Sequence, residues 1–318
     1  MESLSELPGL SIVIVSYNTR DLTLACLRSI HRYPPEGQWE VIVVDNASQD
    51  GSVEALREEF PLVELIALGE NLGFAGGNNR GLVRSRREVL VLLNSDAEAH
   101  PHAFANLQRA FRAHPEMAAG GGRLLNTDGS QQWSIRYFPR VSNRLSEAFF
   151  LHKLFSGPRW GEIENRPSRY ATFHEVEWLS GAYLAVRREW YERLGGLDRG
   201  FFMYSEDADW CYRIHRAGGR VFYLPDSVVT HHGGGSSGGN PDLAIELARA
   251  RVRYARLHFS PGRSLWYCLA VSAGLLLRAL LALPASFMGR KPRRLPRAGL
   301  AGAWAVFANP LPLEQKYD

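Results

Sequence analysis

Three short apolar stretches, each ending in polar residues, decide the fold: "SIVIVSYN" (11–18), "EVIVVDNAS" (40–48) and "EVLVLLNSD" (88–96). β-Branched residues dominate them, and helical stretches such as "RDLTLACLRSIHRY" separate them. Buried strands that alternate with helices are typical of a parallel sheet with crossover helices. The sequence therefore predicts an α/β fold with a mostly parallel sheet flanked by helices.

Polar side chains follow each of these predicted strands. Ligands of open parallel sheets bind in the crevice at the carboxyl ends of the strands. We therefore expect one crevice that is lined by Tyr17, Asn18, Asp45, Asn46, Asn94, Ser95 and Asp96.

Composition limits the class of protein. The chain has 318 residues, of which 45% are hydrophobic and 22% charged, so it is globular, with room for one large domain or a domain plus an appendage. The net charge of +4 is modest, which disfavours a general nucleic-acid surface. The three cysteines are widely separated, which indicates neither a disulfide framework nor a zinc site and favours a reducing cytoplasm. The N-terminal stretch does not resemble a secretion signal. A local basic patch suited to phosphate or anionic lipid is formed by Arg290, Lys291, Arg293, Arg294 and Arg297.

Three carboxylates crowd into "FFMYSEDADWCYRI" (201–214). A purely structural interpretation suffices for this stretch alone, because Ser205 can cap a helix whose acidic first turn suits the helix dipole. Asp209 also precedes Arg213 at the spacing of a helical ion pair. The rest of the chain must decide whether Glu206 or Asp207 has a further role.

Three other motifs have the composition of a ligand site. "NLGFAGGNNRG" (71–81) is a glycine-rich segment, predicted to lie between a strand and a helix, whose amides could meet phosphate or ribose oxygens. It matches neither G-x-G-x-x-G nor a P-loop. "LLNSD" places Asp96 just past a buried strand, where it is either a turn carboxylate or a ligand of a metal-bridged diphosphate. "VVTHHGGGSSGG" offers His231 or His232 as a second metal ligand, and its Ser236 and Ser237 could close as a lid.

Seven motifs in this order resemble the inverting family-2 glycosyltransferases of the GT-A fold, especially their rhamnosyltransferase-like branch. The resemblance covers residues 11 to about 237, and seven motifs in sequence are far more specific than any one. They are "VIVSYN", "VVDNASQDGS", "ENLGFAGGNN", "LLNSD", "WLSGAYLAVRR", "GGLDRGFFMYSEDADWCYR" and "THHGGGSS".

The resemblance implies roles for individual residues. Asp207 would be the general base, and Glu206 would shape the catalytic site. Asp96 would be the metal-binding end of a D-x-D motif, bound to Mg²⁺ or Mn²⁺ with His231, which matches H-x-G-G-x-S better than His232 does. The first position of that motif is Asn94, which adds no charge. Nucleotide-sugar binding is assigned to Tyr17, Asn18, Asp45, Asn71, Gly76, Asn78, Asn94, Ser95 and Asp96, and the acceptor-side wall to Trp178, Gly181 and Ala182.

The resemblance also implies an activity: inverting transfer of a sugar from a nucleotide-sugar to a hydroxyl of a saccharide or lipid-linked saccharide, in cell-surface polysaccharide synthesis. Among donors, the motifs favour dTDP-rhamnose, from which L-rhamnose would be transferred. A nucleotidyltransferase would not need a base at this helix start, and a processive synthase would carry a Q-x-x-R-W motif, which the chain lacks. The remaining alternative is a non-catalytic glycan-binding or scaffold protein derived from a glycosyltransferase, although such a protein would be marked by loss of Asp96, Asp207 or the histidines.

We predict a GT-A domain over residues 1–240, with a nucleotide-sugar half at about 9–100 and an acceptor and catalytic half at about 101–240. Residues 241–318 form a helical, basic and apolar appendage. Its segment 264–288 is long enough to span a bilayer, but Arg278 and Pro284 favour an interfacial or re-entrant helix over a packing helix or a true span. We expect a cytoplasmic protein at the inner face of the membrane, with anionic lipid and without nucleic acid among its partners.

Overall fold

A computed structural model describes residues 7–233, 241–287, 299–304 and 306. The strands are β1 (Leu10–Ser16), β2 (Trp39–Asp45), β3 (Glu64–Ala67), β4 (Val89–Asn94), β5 (Ala97–Ala99), β6 (Met117–Leu125), β7 (Gln131–Gln132), β8 (Ile135–Arg136), β9 (His174–Val176), β10 (Trp178–Leu179), β11 (Tyr183–Arg187) and β12 (Arg220–His231). The helices are α1 (Arg20–Arg32), α2 (Ser52–Glu59), α3 (Gly73–Arg84), α4 (Ala103–Ala113), α5 (Val141–Ala148), α6 (Arg188–Leu194), α7 (Glu206–Arg216), α8 (Pro241–His258) and α9 (Pro261–Phe287).

The main sheet has the strand order β3-β2-β1-β4-β11-β6-β12-β5, with β7 on β6 and β9 on β12. The first four strands are parallel, as predicted, and Ser16 pairs with Asp45 while Val15 pairs with Asn94. Their carboxyl ends therefore lie at one edge of the sheet. β11 runs antiparallel to β4 and β6, so the second half of the sheet is mixed. The predicted α/β class with flanking helices is confirmed.

Both faces of β1 are covered, which explains its uninterrupted apolar sequence. Ile12 and Ile14 pack with Leu27 of α1, whereas Val13 packs with Leu82 of α3 on the other face. Each such side chain contributes about 1.5–3 kcal/mol when it is fully buried. The sheet that positions the strand ends is therefore rigid.

The glycine-rich segment 71–81 is mostly helix, so its prediction as a loop between a strand and a helix was wrong. Its four glycines fall inside α3, and a Cβ added to Gly77 or Gly81 would lie 2.8 or 2.3 Å from a methyl carbon of the β1 valines. Only glycine lets α3 approach β1 this closely. Close helix–sheet packing and a phosphate-binding loop both require glycines, so the sequence alone does not distinguish between them.

The C-terminal helices α8 and α9 follow the sheet, and α9 continues past Pro284 to Phe287. Ala248 and Val252 of α8 pack with Tyr267 and Val271 of α9. The window Pro261–Leu281 is long and apolar enough to cross a membrane, with a mean hydropathy of 1.7, and 44% of it is buried within the protein. The predicted lid serines and the basic residues 290–297 lie outside the described residues.

Candidate active site

The carboxyl ends of β1 and β2 are tied together by side chains. Asn18, with a left-handed φ of 52°, accepts a hydrogen bond from the Gln49 amide at 2.8 Å. Asp45 is buried, and its Oδ1 accepts from the Ser48 amide at 2.9 Å. Its Oδ2 is also buried but has no hydrogen-bond partner among the described residues. Such an oxygen is unfavourable unless a ligand donates to it. Tyr17, which directly follows β1, is half exposed.

Asn94, Asp96 and His231 meet where β4 ends beside the end of β12. His231 Nε2 lies 3.0 Å from Asn94 Nδ2 and 3.2 Å from Asp96 Oδ1. Gln132 Oε1 lies 2.7 Å from His231 Nδ1. An amide oxygen can only accept, so Nδ1 carries the proton and Nε2 keeps its lone pair. The imidazole therefore presents an electron pair toward the Asp96 carboxylate.

This donor set fits a divalent cation. Two electron-pair donors 3.2 Å apart, Asp96 Oδ1 and His231 Nε2, repel one another unless a proton or cation lies between them. Burial raises the pKa of Asp96, whereas a His231 that carries a proton between the two groups, together with the Gly233 amide, holds that pKa below its usual value. A cation in the place of that proton would stabilise the carboxylate in the same way. The described residues contain no group of three or more His, Cys, Asp or Glu placed to hold a metal. One carboxylate and one imidazole, completed by phosphate oxygens, is nevertheless a usual arrangement for Mg²⁺ or Mn²⁺.

The neighbouring histidine points elsewhere. His232 Nε2 lies 2.6 Å from Glu98 Oε1, and only the backbone amide of His232 reaches Asp96, through its carbonyl at 2.9 Å. The geometry thus favours His231 over His232 as the cation ligand.

The remaining predicted nucleotide residues support the crevice from within. Asn78 is buried and donates to the Phe74 carbonyl at 2.9 Å, and Asn71 Oδ1 accepts from the Gly73 amide at the start of α3. Gly76 lies inside α3, and Ser95 is buried, with its hydroxyl 3.1 Å from that of Thr19. Asn46, also predicted to line the crevice, is buried and donates to the Gly73 carbonyl. Direct contact of these residues with a nucleotide stays a prediction.

Asp207 lies at the start of α7 and is fixed by two amides. Its Oδ2 accepts from Gly181 at 2.9 Å and its Oδ1 from Ala208 at 2.8 Å. The prediction that Ser205 caps the helix with its side chain was wrong. Tyr204 and Ser205 both have left-handed φ angles, of 74° and 67°, and no cap hydrogen bond from the Ser205 side chain is present. Backbone strain of this kind concentrates at functional sites.

The two adjacent carboxyls differ in their environments. Burial, followed by the neighbouring charge of Asp207, raises the pKa of Glu206 well above its usual value, and Glu206 Oε2 lacks a partner among the described residues. Burial also raises the pKa of Asp207, opposed by the amides of Gly181 and Ala208 and by the charge of Arg136. Desolvation therefore outweighs these favourable contacts, and the pKa of Asp207 lies above its usual value. A base with a raised pKa binds a proton more strongly.

The predicted acceptor-side residues connect the two parts of the site. Ala182 O accepts from the backbone amide of Asn94 at 3.0 Å, while the preceding residue, Gly181, binds Asp207. Trp178 is half-buried and packs beside the same helix α7. Asp207 and the Asn94–Asp96 turn are thus held on either side of one short segment.

Helix α8 adds buried charges behind α7 that the sequence did not reveal. His258 Nε2 lies 2.7 Å from Asp209 Oδ1, and the predicted Asp209–Arg213 pair is present at 2.8 Å. Arg253 is buried and contacts Asp198 at 2.7 Å. In sequence, Arg253 and His258 belong to an ordinary basic helix, and Gln132 belongs to no motif, so only the fold identifies these three residues.

The chain is similar in sequence to known glycosyltransferases. The model of glycosyl transferase family 2 matches residues 11–213. N-acetylglucosaminyl-diphospho-decaprenol L-rhamnosyltransferase of Mycobacterium tuberculosis is 29% identical over 268 residues, which cover 81% of this chain and 85% of the relative. Rhamnosyltransferase WbbL of Escherichia coli is 40% identical over 100 residues, which cover 31% of this chain and 35% of that protein.

Solved structures share the fold. The mannosyltransferase PcManGT from Pyrobaculum calidifontis, in complex with GDP-Man and Mn²⁺, superposes with a TM-score of 0.56 at 20% identity, covering 97% of this chain and 90% of that one. GalNAc-T7 with UDP, GalNAc and Mn²⁺ gives a TM-score of 0.62 at 16% identity over 84% of this chain, which spans about half of that enzyme, 51%. The GT-A fold implied by the motifs is therefore confirmed. Because the family model extends from β1 into the helix that bears Asp207 and covers more than half of the chain, the protein belongs to glycosyl transferase family 2.

Proposed function

We propose that the protein is an inverting glycosyltransferase that moves L-rhamnose from dTDP-rhamnose to a hydroxyl of a lipid-linked saccharide in cell-surface polysaccharide synthesis. The observation that carries the proposal is the placement of Asp207 and the Asn94–Asp96–His231 group on either side of the Gly181–Ala182 segment. The long match to a rhamnosyltransferase of Mycobacterium tuberculosis, whose name specifies a diphospho-decaprenol saccharide, supports the sugar and the acceptor class.

The nucleotide-sugar binds at the strand ends. Two buried oxygens without partners among the described residues, Asp45 Oδ2 and Asn94 Oδ1, accept hydrogen bonds from the base or ribose. Asp96 and His231 would hold a divalent cation, which when bound would neutralise negative charge on the diphosphate. Gln132 orients the imidazole by accepting from Nδ1.

Asp207 supplies the base for a single displacement. One carboxylate oxygen takes the proton of the acceptor hydroxyl as that oxygen bonds to the anomeric carbon. The bond from this carbon to the diphosphate oxygen breaks on the opposite face, and its electron pair leaves with the nucleoside diphosphate. Configuration at the anomeric carbon inverts. The amides of Gly181 and Ala208 keep the carboxylate in one orientation throughout.

Membrane contact fits helix α9. Leu265, Leu269, Leu276 and Leu280 are exposed and, at spacings of four, seven and four residues, share one face of the helix. Arg278 is exposed, and its guanidinium donates to the Glu147 carbonyl at 2.8 Å. An exposed apolar stripe on a helix whose other side is packed against the protein favours an interfacial position over a span. We infer that the protein works at the cytoplasmic membrane surface, where a lipid-linked acceptor is accessible.

Vesicle sedimentation tests the membrane contact. Leu265→Ser with Leu280→Ser should reduce binding to vesicles containing anionic lipid. The matched control is Leu62→Ser with Val83→Ser, which removes two comparably exposed apolar side chains away from α9. Equal binding by both double variants would contradict the interfacial position.

Donor binding tests the activity itself. Calorimetric titration of deoxythymidine, uridine and guanosine diphosphates, with and without Mn²⁺, should give the tightest binding for deoxythymidine diphosphate with the metal. Asp96→Asn should weaken that binding, and Asp207→Asn should not. If none of the three nucleotides binds under any condition, the protein is not a nucleotide-sugar transferase, and the non-catalytic alternative takes its place.

A further inference from the structure

Arg136 stands near the candidate base, and no salt bridge to Arg136 is present among the described residues. It lies on β8, which pairs with β10 so that Arg136 is opposite Trp178 and Ile135 is opposite Leu179. Side chains directly opposite in such a pair share a face of the ladder. Ile135 and Leu179 are buried in the core, so Arg136 and Trp178 take the other face, with the guanidinium carbon 5.9 Å from the indole ring.

The two side chains lack acceptors. Arg136 Nε and Trp178 Nε1 are both buried, and neither has a hydrogen-bond partner in the described part of the chain. Nearby arginines differ, because Arg140 pairs with Glu177 at 2.7 Å and Arg144 pairs with Glu147 and Glu162. Buried donors without acceptors are unfavourable and call for an explanation such as a ligand.

Arg136 is also close to the base. The segment from β10 continues through Ser180, whose amide binds the Ser134 carbonyl at 3.3 Å, to Gly181, whose amide binds Asp207. The positive charge of Arg136 correspondingly favours the ionised form of Asp207. An arginine in this position can contact a molecule whose hydroxyl reaches Asp207.

We propose that Arg136, whose guanidinium lies beside the Trp178 ring, binds an anionic phosphate or diphosphate group of the acceptor. The inference rests on the proposed function and deepens it by assigning the acceptor a charge. A guanidinium and an indole offer only donors, so the ligand must supply acceptor oxygens, and the planar guanidinium matches two phosphate oxygens at once. The Trp178 ring lies within cation–π distance of the guanidinium and stabilises the positive charge at this place.

Direct binding separates this role from catalysis. The probes are N-acetylglucosamine linked through diphosphate to a farnesyl chain, and the neutral octyl glycoside of the same sugar, each titrated by calorimetry without donor and with EDTA. The wild type should bind the diphosphate form more tightly. Arg136→Gln should weaken that binding by at least about tenfold and leave the glycoside unchanged, and Arg136→Lys should recover part of the loss.

The control is Arg220→Gln, which removes an equal charge from an exposed pair with Glu175 and should change neither titration. The proposal is overturned if the wild type binds neither probe, if Arg136→Gln leaves diphosphate binding intact, or if it weakens both probes equally. Titration with deoxythymidine diphosphate and Mn²⁺ shows whether Arg136 binds a phosphate of the donor instead of a phosphate of the acceptor. If Arg136→Gln weakens nucleotide binding by a similar factor, Arg136 binds the donor and the acceptor role is overturned. If the wild type does not bind the nucleotide at all, the proposed function itself fails.

Discussion

The backbone N–H of Gly181 donates a 2.9 Å hydrogen bond to Oδ2 of Asp207. A Cβ added to Gly181 would lie 3.2 Å from the Phe74 ring and 3.5 Å from the Asp207 Cβ, so the helix that starts with the candidate base lies close against this strand end. The carbonyl of the next residue, Ala182, holds Asn94. Movement of this one segment would therefore disturb the base and the donor site together.

Gln132 should control cation affinity through His231, although it is not itself a proposed cation ligand. Gln132→Leu removes the acceptor that keeps the proton on His231 Nδ1, and loss of such a partner weakens metal binding by about 10–100-fold. Titration of Mn²⁺ in the presence of deoxythymidine diphosphate measures this. Gln131→Leu is the control, since Gln131 contacts Arg123 and not His231. Equal affinities for the two variants would exclude the orienting role.

The pH dependence of transfer should follow the raised pKa of Asp207. Transfer needs the ionised carboxylate, so the rate should fall as pH drops through a pKa above the ordinary Asp value of about 4. Asp207 is surrounded by the carboxyl of Glu206, the charge of Arg136 and the Asp209–Arg213 pair. A kcat profile that stays flat down to the ordinary aspartate range would contradict this environment.

Glu206 should lower stability at high pH. A carboxyl whose pKa is raised by folding contributes stability below its unfolded pKa and loses it as pH rises through the folded value. Glu206→Gln should therefore raise the free energy of unfolding relative to wild type at about pH 8 and change it little at about pH 4. Denaturant unfolding at both pH values measures the difference. Glu189→Gln, on the exposed start of α6, should show no such pH-dependent gain.

The buried pair between Arg253 of α8 and Asp198 should contribute strongly to the stability of the protein. Arg253→Met leaves the buried Asp198 carboxylate without this partner and should cost about 3–5 kcal/mol of unfolding free energy. Adding Asp198→Asn should restore part of that loss, because the buried charge disappears. Arg249→Met, which breaks a partly exposed pair on the same helix, should cost less than about 1 kcal/mol. Similar losses for Arg253→Met and Arg249→Met would show that α8 does not depend on the buried pair.

The strained backbone at Ser205, just before α7, should lower the free energy of unfolding by a measurable amount. Ser205 has a left-handed φ of 67° and makes no cap hydrogen bond, so Ser205→Gly relieves strain without removing a contact of that kind. We expect a gain of about 0.5–1 kcal/mol in unfolding free energy after the greater chain entropy of glycine is subtracted. A loss of stability would indicate that the Ser205 side chain contributes in another way.

The strands and the positions of their polar ends could be predicted, because they depend on the periodicity of apolar residues and on the order of motifs along the chain. The runs that became β1, β2 and β4 could be assigned because buried parallel strands are continuous and apolar, and their polar ends, such as Asp45 and Asp96, lie at one edge as expected. Gln132 could not be found, because its function depends on the pairing of β7 with β6, which brings the Gln132 side chain to His231 at the end of β12. Gly77 was misassigned to a loop because the steric need for glycine against β1 is a tertiary effect.

Substitution of Asp207 tests the central claim most directly. Asp207→Asn keeps the size of the side chain and an oxygen for the Gly181 amide, but removes the base. Transfer from dTDP-rhamnose to the diphosphate-linked N-acetylglucosamine acceptor should fall by about 10²–10⁴ in kcat, with the affinity for deoxythymidine diphosphate unchanged. A variant that keeps the wild-type kcat while binding the nucleotide normally would contradict the assignment of Asp207 as the catalytic base.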